Sequence, residues 1–217
     1  MPESEENSSP LIHIATAVGF LQRLFAPTHH QIELRALPSA NRLFSRQPQA
    51  IENFLTIHCS QDLYFGVATR DGNGRGKKEN CREVPALWAD LDFKDTPEKV
   101  FYEILTKTDL SPSVAVFSGG GLHLYWLLSP AVEAQDPRVE NALRALTVQF
   151  RADRGAAEVA RVLRLPGTRN HKPRYAQQKP EVTIRWEQWD RLSSSKTSRC
   201  SPPSSTTLVP QARIPPQ

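Results

Sequence analysis

The stretch Ala86-Leu-Trp-Ala-Asp-Leu-Asp-Phe93 sets two acids, Asp90 and Asp92, into a run that is otherwise apolar. Its composition reads as a β-strand. Alternate residues of a strand point to the same face, so the two carboxylates project together. Side by side on a buried face they repel one another and lose hydration unless a cation offsets both costs. The arrangement therefore predicts a divalent metal held by oxygen ligands. The plainer alternative is a strand end at which both acids are simply solvated.

Downstream, Thr96-Pro97-Glu98 reads as an N-cap, a first-turn proline and an acid matched to the helix dipole, opening a helix through Leu105. Strands are expected over residues 113–117 and 122–128, on either side of Ser118-Gly-Gly-Gly121. Asp136-Pro137 then opens a helix that turns Val139, Leu143, Leu146 and Phe150 inward, and residues 181–186 add a last strand.

Upstream, Ile14, Val18, Leu21 and Phe25 recur at helical spacing ahead of Pro27, and residues 31–37 alternate like a half-buried strand. A second helix is expected over 48–59 and a strand over 63–68. The loop that follows, from Arg70 to Lys78, is Gly-rich and basic. It lacks the Gly-x-x-x-x-Gly-Lys-Ser/Thr pattern of a phosphate-cradling loop, so it is read as a mobile basic loop near a nucleic-acid strand. Strands and helices thus mix along the chain, with a hairpin-like pair in the middle. That order argues for α+β with a mixed, largely antiparallel sheet.

Two further segments bear chemistry. Consecutive glycines before His123 let the backbone approach a ligand and can expose N–H groups to phosphate, although a Gly triplet also suits a plain turn. From Arg161 to Arg174 the sequence packs Arg161, Arg164, Arg169, Lys172 and Arg174 around a Pro-Gly turn. Guanidinium groups bind phosphate oxygens in pairs, so this stretch suits a polyphosphate or nucleic-acid backbone; a solvated basic face is the alternative. Together the three segments supply acidic metal ligands, a glycine-flanked histidine and a phosphate clamp, the parts of two-metal phosphoryl chemistry.

Bulk properties permit this reading. The chain has 217 residues, enough for one domain with a real core and too few for a polymerase domain joined to a helicase. A formal charge of +4 allows nucleic acid as a partner without requiring it. Cys59, Cys81 and Cys200 are odd in number and far apart, which fits neither a disulfide framework nor a zinc site and points to a reducing cytoplasm. No segment approaches the length of a membrane span. The polar residues 1–9 and the Ser- and Pro-rich residues 193–217 are expected to be disordered tails flanking one catalytic domain over 10–192.

The order and spacing of these segments resemble the archaeo-eukaryotic primase superfamily, above all the RepB-like primase-polymerase domains of mobile elements. Ala89-Asp90-Leu-Asp92 resembles its first motif, Ser118-Gly-Gly-Gly-Leu-His123 its second, and Arg161-Val-Leu-Arg-Leu-Pro-Gly-Thr168 its most distinctive string. The resemblance implies an RRM-like catalytic core with a small N-terminal α/β module. It implies a template-directed DNA primase or polymerase that uses Mg2+ or Mn2+, nucleoside triphosphates and a single-stranded DNA template, with a replicative helicase as a further partner. By carry-over, Asp90, Asp92 and a third acid hold the metals, with Asp153 chosen over its rival Glu158. His123 contacts the incoming phosphates beside Ser118 and Gly120, and Arg164 with Asn170 or His171 neutralises the triphosphate.

Two other classes compete. A non-catalytic nucleic-acid-binding module of a replication initiator would keep the basic clamp and treat the acids as incidental, which the intact Asp90, Asp92 and His123 argue against. A DNA-nicking relaxase needs a tyrosine nucleophile and a His-x-His pair, and the adjacent His29-His30 lack that spacing.

Overall fold

The computed structural model describes residues 12–189, so the expected tails and Cys200 lie outside the described residues. In chain order the regular elements are helix α1 (Ile14–Leu24), strands β1 (Ile32–Leu37) and β2 (Asn41–Ser45), helix α2 (Pro48–Ile57), strands β3 (Asp62–Gly66) and β4 (Glu83–Asp92), helix α3 (Glu98–Thr106), strands β5 (Val114–Phe117) and β6 (Gly121–Glu133), helix α4 (Pro137–Phe150), and strands β7 (Val162–Arg164) and β8 (Thr183–Glu187).

The strands form two four-stranded sheets, ordered β2-β1-β3-β7 and β4-β6-β5-β8. Every pairing is antiparallel. The α+β class with antiparallel pairing therefore holds, with two sheets where the sequence suggested one sheet and a small module. The arginine-rich string, which carries no strand signal of its own, closes the N-terminal sheet as β7 by pairing Tyr64 with Arg164 and Phe65 with Leu163.

Aromatic residues join the layers. Phe20, on the buried face of α1, meets Phe65 of the first sheet at 5.4 Å and Tyr125 of the second at 5.8 Å between ring centroids. On the other face of the second sheet, Trp126 packs on Phe150 of α4 at 5.1 Å and Trp186 stacks on Phe101 of α3 at 6.4 Å. His123 and Tyr125 thus face the first sheet, while Trp126 faces the helices.

Start and stop signals mostly act as the residues suggest. Asp136 caps α4 by accepting a hydrogen bond from the Arg138 N–H, and Pro137 occupies the first turn. Thr96 is a correction. Pro97, not Thr96, takes the N-cap position of α3, and Thr96 is buried with its hydroxyl donating to the Arg151 carbonyl at 2.9 Å. Its side chain ties the start of α3 to the end of α4.

The Arg70 loop is a second correction. Arg70 is fully buried, with its Nε 2.8 Å from Glu33 Oε2, and Glu33 also holds Arg35. Backbone bridges to Gln31 and Cys81 fix it further. Lys78 pairs with Glu140 of α4 at 2.8 Å. The loop is anchored at both ends by ion pairs, and none of its residues lines the cleft described below.

Candidate active site

Between the facing edges of the two sheets lies a cleft of about 500 Å3. Asp90, Asp92, Asp95 and Asp153 line it together with Arg161, Arg164, Lys172 and Arg174, with Tyr64, Ser118, Gly120, His123 and Asn170 among the remaining walls. Charges of both signs in one cleft suit a ligand that is itself a polyanion accompanied by cations.

β4 is an edge strand, and this explains how a distant acid reaches its carboxylates. The outer carbonyl of Asp90 accepts a hydrogen bond from the Asp153 N–H at 2.7 Å, where the chain returns after α4. The turn is made by Arg151 in the left-handed region at φ 53°, and Asp153 caps the following short turn through the Gly155 N–H. Asp153 thereby stands beside Asp90. Glu158, its rival for the third acid, is exposed and does not line the cleft.

Arg161 Nη2 lies 2.8 Å from Asp90 Oδ2 and 3.2 Å from Asp153 Oδ2, so one guanidinium bridges both carboxylates. Asp92, two residues along β4 and on the same face, has Arg174 Nη2 at 3.5 Å. On the neighbouring strand His123 pairs across from Asp90, its Nε2 3.6 Å from Asp90 Oδ1. Burial pushes the His123 pKa down to about 4, only partly opposed by Asp90. The ring is therefore neutral at pH 7 and can donate one N–H without adding charge; its Nδ1 has no partner among the described residues.

The glycines answer to protein neighbours. A Cβ at Gly121, which pairs with Asp92, would run into the Leu91 carbonyl, and one at Gly120 would meet the Tyr175 hydroxyl. The Gly120 carbonyl also accepts from the Phe93 N–H at 2.9 Å. The triplet is a turn that lets β6 approach β4 closely beside the acids. Ser118 and Gly120 still face the cleft.

The basic segment divides in two. Arg164 is buried, its guanidinium held by the Asp62 carboxylate and lying 4.8 Å from the Tyr64 ring centroid, while its Nη2 has no partner among the described residues. Asn170 is committed to the fold, donating to the Ser118 carbonyl at 2.9 Å and accepting from the Lys172 N–H at 3.1 Å. His171 does not line the cleft; its backbone N–H donates to Asp62 at 2.7 Å. Loss of hydration, then the neighbouring Arg164 and Arg174, lowers the Lys172 pKa. Asp62 and Tyr64 were not singled out from sequence. Arg161, Lys172 and Arg174 entered there only as members of the basic string, and nothing local marked Asp62.

A protein-family comparison places the chain. The RepB DNA-primase N-terminal domain family matches residues 72–200. The chain belongs to this family. A replication protein of Clostridium perfringens is 29% identical over 104 residues, covering 43% of the chain and 26% of that protein, so the match spans about a quarter of the relative's length. Among solved structures, the AEP domain of the cyanophage S-2L primase-polymerase superposes with a TM-score of 0.60 at 15% identity, covering 84% of this chain and 95% of that one. The catalytic domain of primase RepB′, solved in complex with initiator DNA, gives 0.54 at 14% identity, covering 83% and 90%. The fold is that of the archaeo-eukaryotic primases.

Relatives of this RepB-type primase domain imply divalent metals, and the donor set here fits them in kind. Asp90, Asp92 and Asp153 offer only hard carboxylate oxygens, and all three open onto one cleft. Asp90 and Asp153 already bracket a positive charge, that of Arg161. Among the described residues no three acidic, His or Cys groups converge closely enough to enclose an ion. Asp92 is drawn towards Arg174 instead. Among the described residues no helix is long and apolar enough to cross a membrane.

Proposed function

We propose that the chain is the catalytic domain of a replication primase-polymerase of a plasmid, phage or other mobile element, joining nucleotides on a single-stranded DNA template. The observation that supports this reading is one cleft lined both by three carboxylates, Asp90, Asp92 and Asp153, and by the guanidinium of Arg164, whose Nη2 has no partner among the described residues.

In the proposed reaction a primer 3′-hydroxyl oxygen attacks the α-phosphorus of a nucleoside triphosphate. A new P–O bond forms, the bond to the β-phosphate oxygen breaks, pyrophosphate leaves and the hydroxyl proton is lost. Asp90, Asp92 and Asp153 would hold Mg2+ or Mn2+, which when bound supplies positive charge to the attacking and leaving oxygens. Arg164 and Lys172 bind and orient the β- and γ-phosphates opposite the carboxylates. His123, kept neutral by burial, gives a phosphate oxygen an N–H without drawing the acids away from their cation. Arg161, released from Asp90 and Asp153, becomes available to the same phosphates.

The test is an extension assay. Purified chain, single-stranded template and labelled nucleotides of both sugar types are combined with Mn2+ or Mg2+, with and without a primer, beside the Asp90→Ala variant. Incorporation by the parent alone supports the reading. Template binding with no incorporation under any condition would make the chain the non-catalytic module of an initiator.

A further inference from the structure

Asp62 lies on the N-terminal sheet, outside every segment that marks the primase cleft, and yet it contacts two parts of the phosphate side at once. It opens β3, opposite Leu37 of β1, and its side chain is largely buried. One oxygen, Oδ1, takes both the Arg164 guanidinium and the His171 backbone N–H, the latter at 2.7 Å. Two residues on, and therefore on the same face of the strand, Tyr64 pairs across from Arg164 and lays its ring 4.8 Å from the guanidinium carbon. The guanidinium is thus fixed at one nitrogen and over one face. Its Nη2 is buried with no partner among the described residues. A buried charged donor without an acceptor is unfavourable and persists where a ligand supplies one.

We infer that Asp62 is a positioning residue for nucleotide binding: it holds Arg164 and the backbone at His171 so that the free Nη2 meets a phosphate oxygen of the incoming triphosphate. This rests on the proposed reading of Arg164 as a phosphate ligand and adds the residue that makes Arg164 rigid. Tyr64 limits the other direction of motion. The assignment explains why an acid stands in a region that must attract polyanions. A carboxylate there repels the ligand at long range, which only a gain in orientation of the guanidinium offsets.

The sign of the effect separates positioning from simple charge. Removing an anion beside a phosphate site strengthens binding by Coulomb's law, whereas loosening Arg164 weakens it. The experiment is calorimetric titration of the full chain with a non-hydrolysable nucleoside triphosphate, for the parent, Asp62→Asn, Asp62→Glu, Arg164→Gln and the Asp62→Asn/Arg164→Gln pair, with thermal melts to establish that each is folded. Asp62→Asn is expected to weaken binding by roughly tenfold, the usual scale for a lost supporting partner. Asp62→Glu, which keeps the charge and moves it, weakens it too. In the Arg164→Gln background Asp62→Asn has no further effect. Binding by Asp62→Asn that equals or exceeds that of the parent, with Arg164→Gln weakened, overturns the positioning role and leaves the phosphate site standing. Parent-like binding by Arg164→Gln overturns both. Should Asp62→Asn fail to fold, Asp62→Glu carries the test, and parent-like binding there is the overturning result.

Discussion

The Arg161 guanidinium donates to the Asp90 carboxylate at 2.8 Å and reaches Asp153 with the same nitrogen. Arg161 immediately precedes β7 of the first sheet and Asp90 belongs to β4 of the second, so this contact joins the two sheets across the cleft. It also shields the two acids from one another. Removing the guanidinium by Arg161→Gln should therefore lower stability in the absence of metal by about 1 kcal/mol, the scale of a partly exposed ion pair. The variant should gain more than the parent from added Mn2+, because the cation no longer displaces an arginine. Thermal melts with and without Mn2+ check both.

Asp90→Ala and Asp92→Ala should abolish nucleotide incorporation while leaving affinity for a single-stranded template within about twofold of the parent. Their carboxylates line the cleft and are proposed to hold cations, whereas a nucleic-acid backbone binds through Lys and Arg. Primer extension and fluorescence anisotropy on the same preparations measure the two properties. Near-normal synthesis by either variant would remove that acid from the metal set.

His123 sets a pH window. Its pKa lies near 4 in the folded chain against 6.5 for a free imidazole, because burial disfavours the charged ring. Between these values the unfolded chain holds the proton and the folded chain does not, so stability falls as pH drops from about 6.5 to 4 and levels off below. The full effect is up to about 3 kcal/mol. His123→Asn should flatten that part of the stability curve relative to the parent, as measured by urea unfolding at several pH values. A parent imidazole titrating near 6.5 by NMR would show that the ring is hydrated.

Much of this was legible in the residues themselves. The alternation in β4 put Asp90 and Asp92 on one face, and Asp136-Pro137 marked the start of α4, because both signals are local. β7 was not legible. Its three residues become a strand only because β3, about a hundred positions earlier in the sequence, offers a free edge to Leu163 and Arg164. Asp62 was invisible for the same reason: its meaning comes from Arg164 and His171. The Arg70 loop misled because Gly and Lys are common in solvated loops, while the residue that anchors it, Glu33, sits in β1. The glycine triplet does lie beside the cleft, but its cause is the Leu91 carbonyl and the Tyr175 hydroxyl.

That last point separates two glycine substitutions. Gly121→Ala drives a Cβ into the Leu91 carbonyl, backbone that cannot rotate away, and should cost about 1–3 kcal/mol by overpacking. Gly19→Ala, within α1 and with nothing inside 4 Å of the new carbon, should stabilise by roughly 0.5–1 kcal/mol through helix propensity. Urea unfolding of the two variants gives opposite signs if β4 and β6 approach one another as described.

The third acid is open to a direct comparison. Asp153 stands beside Asp90 through a backbone hydrogen bond of 2.7 Å and shares Arg161 with it, whereas Glu158 is exposed and away from the cleft. If cations are held between the acids that line the cleft, Asp153→Asn should reduce incorporation by a factor on the order of 100 or more, since a carboxylate ligand is replaced by a neutral amide. Glu158→Gln should stay within about twofold. Because Asp153 Oδ1 also caps the turn at Gly155, a role that Asn fills equally well, the Asn variant keeps the local fold and isolates the charge. Primer extension across a range of Mn2+ concentrations gives the decisive reading: a ligand lost from the metal raises the concentration needed for half-maximal rate, and a purely structural defect does not. The opposite ranking of the two variants would hand the role to Glu158 and require the 153–158 turn to swing its far end into the cleft.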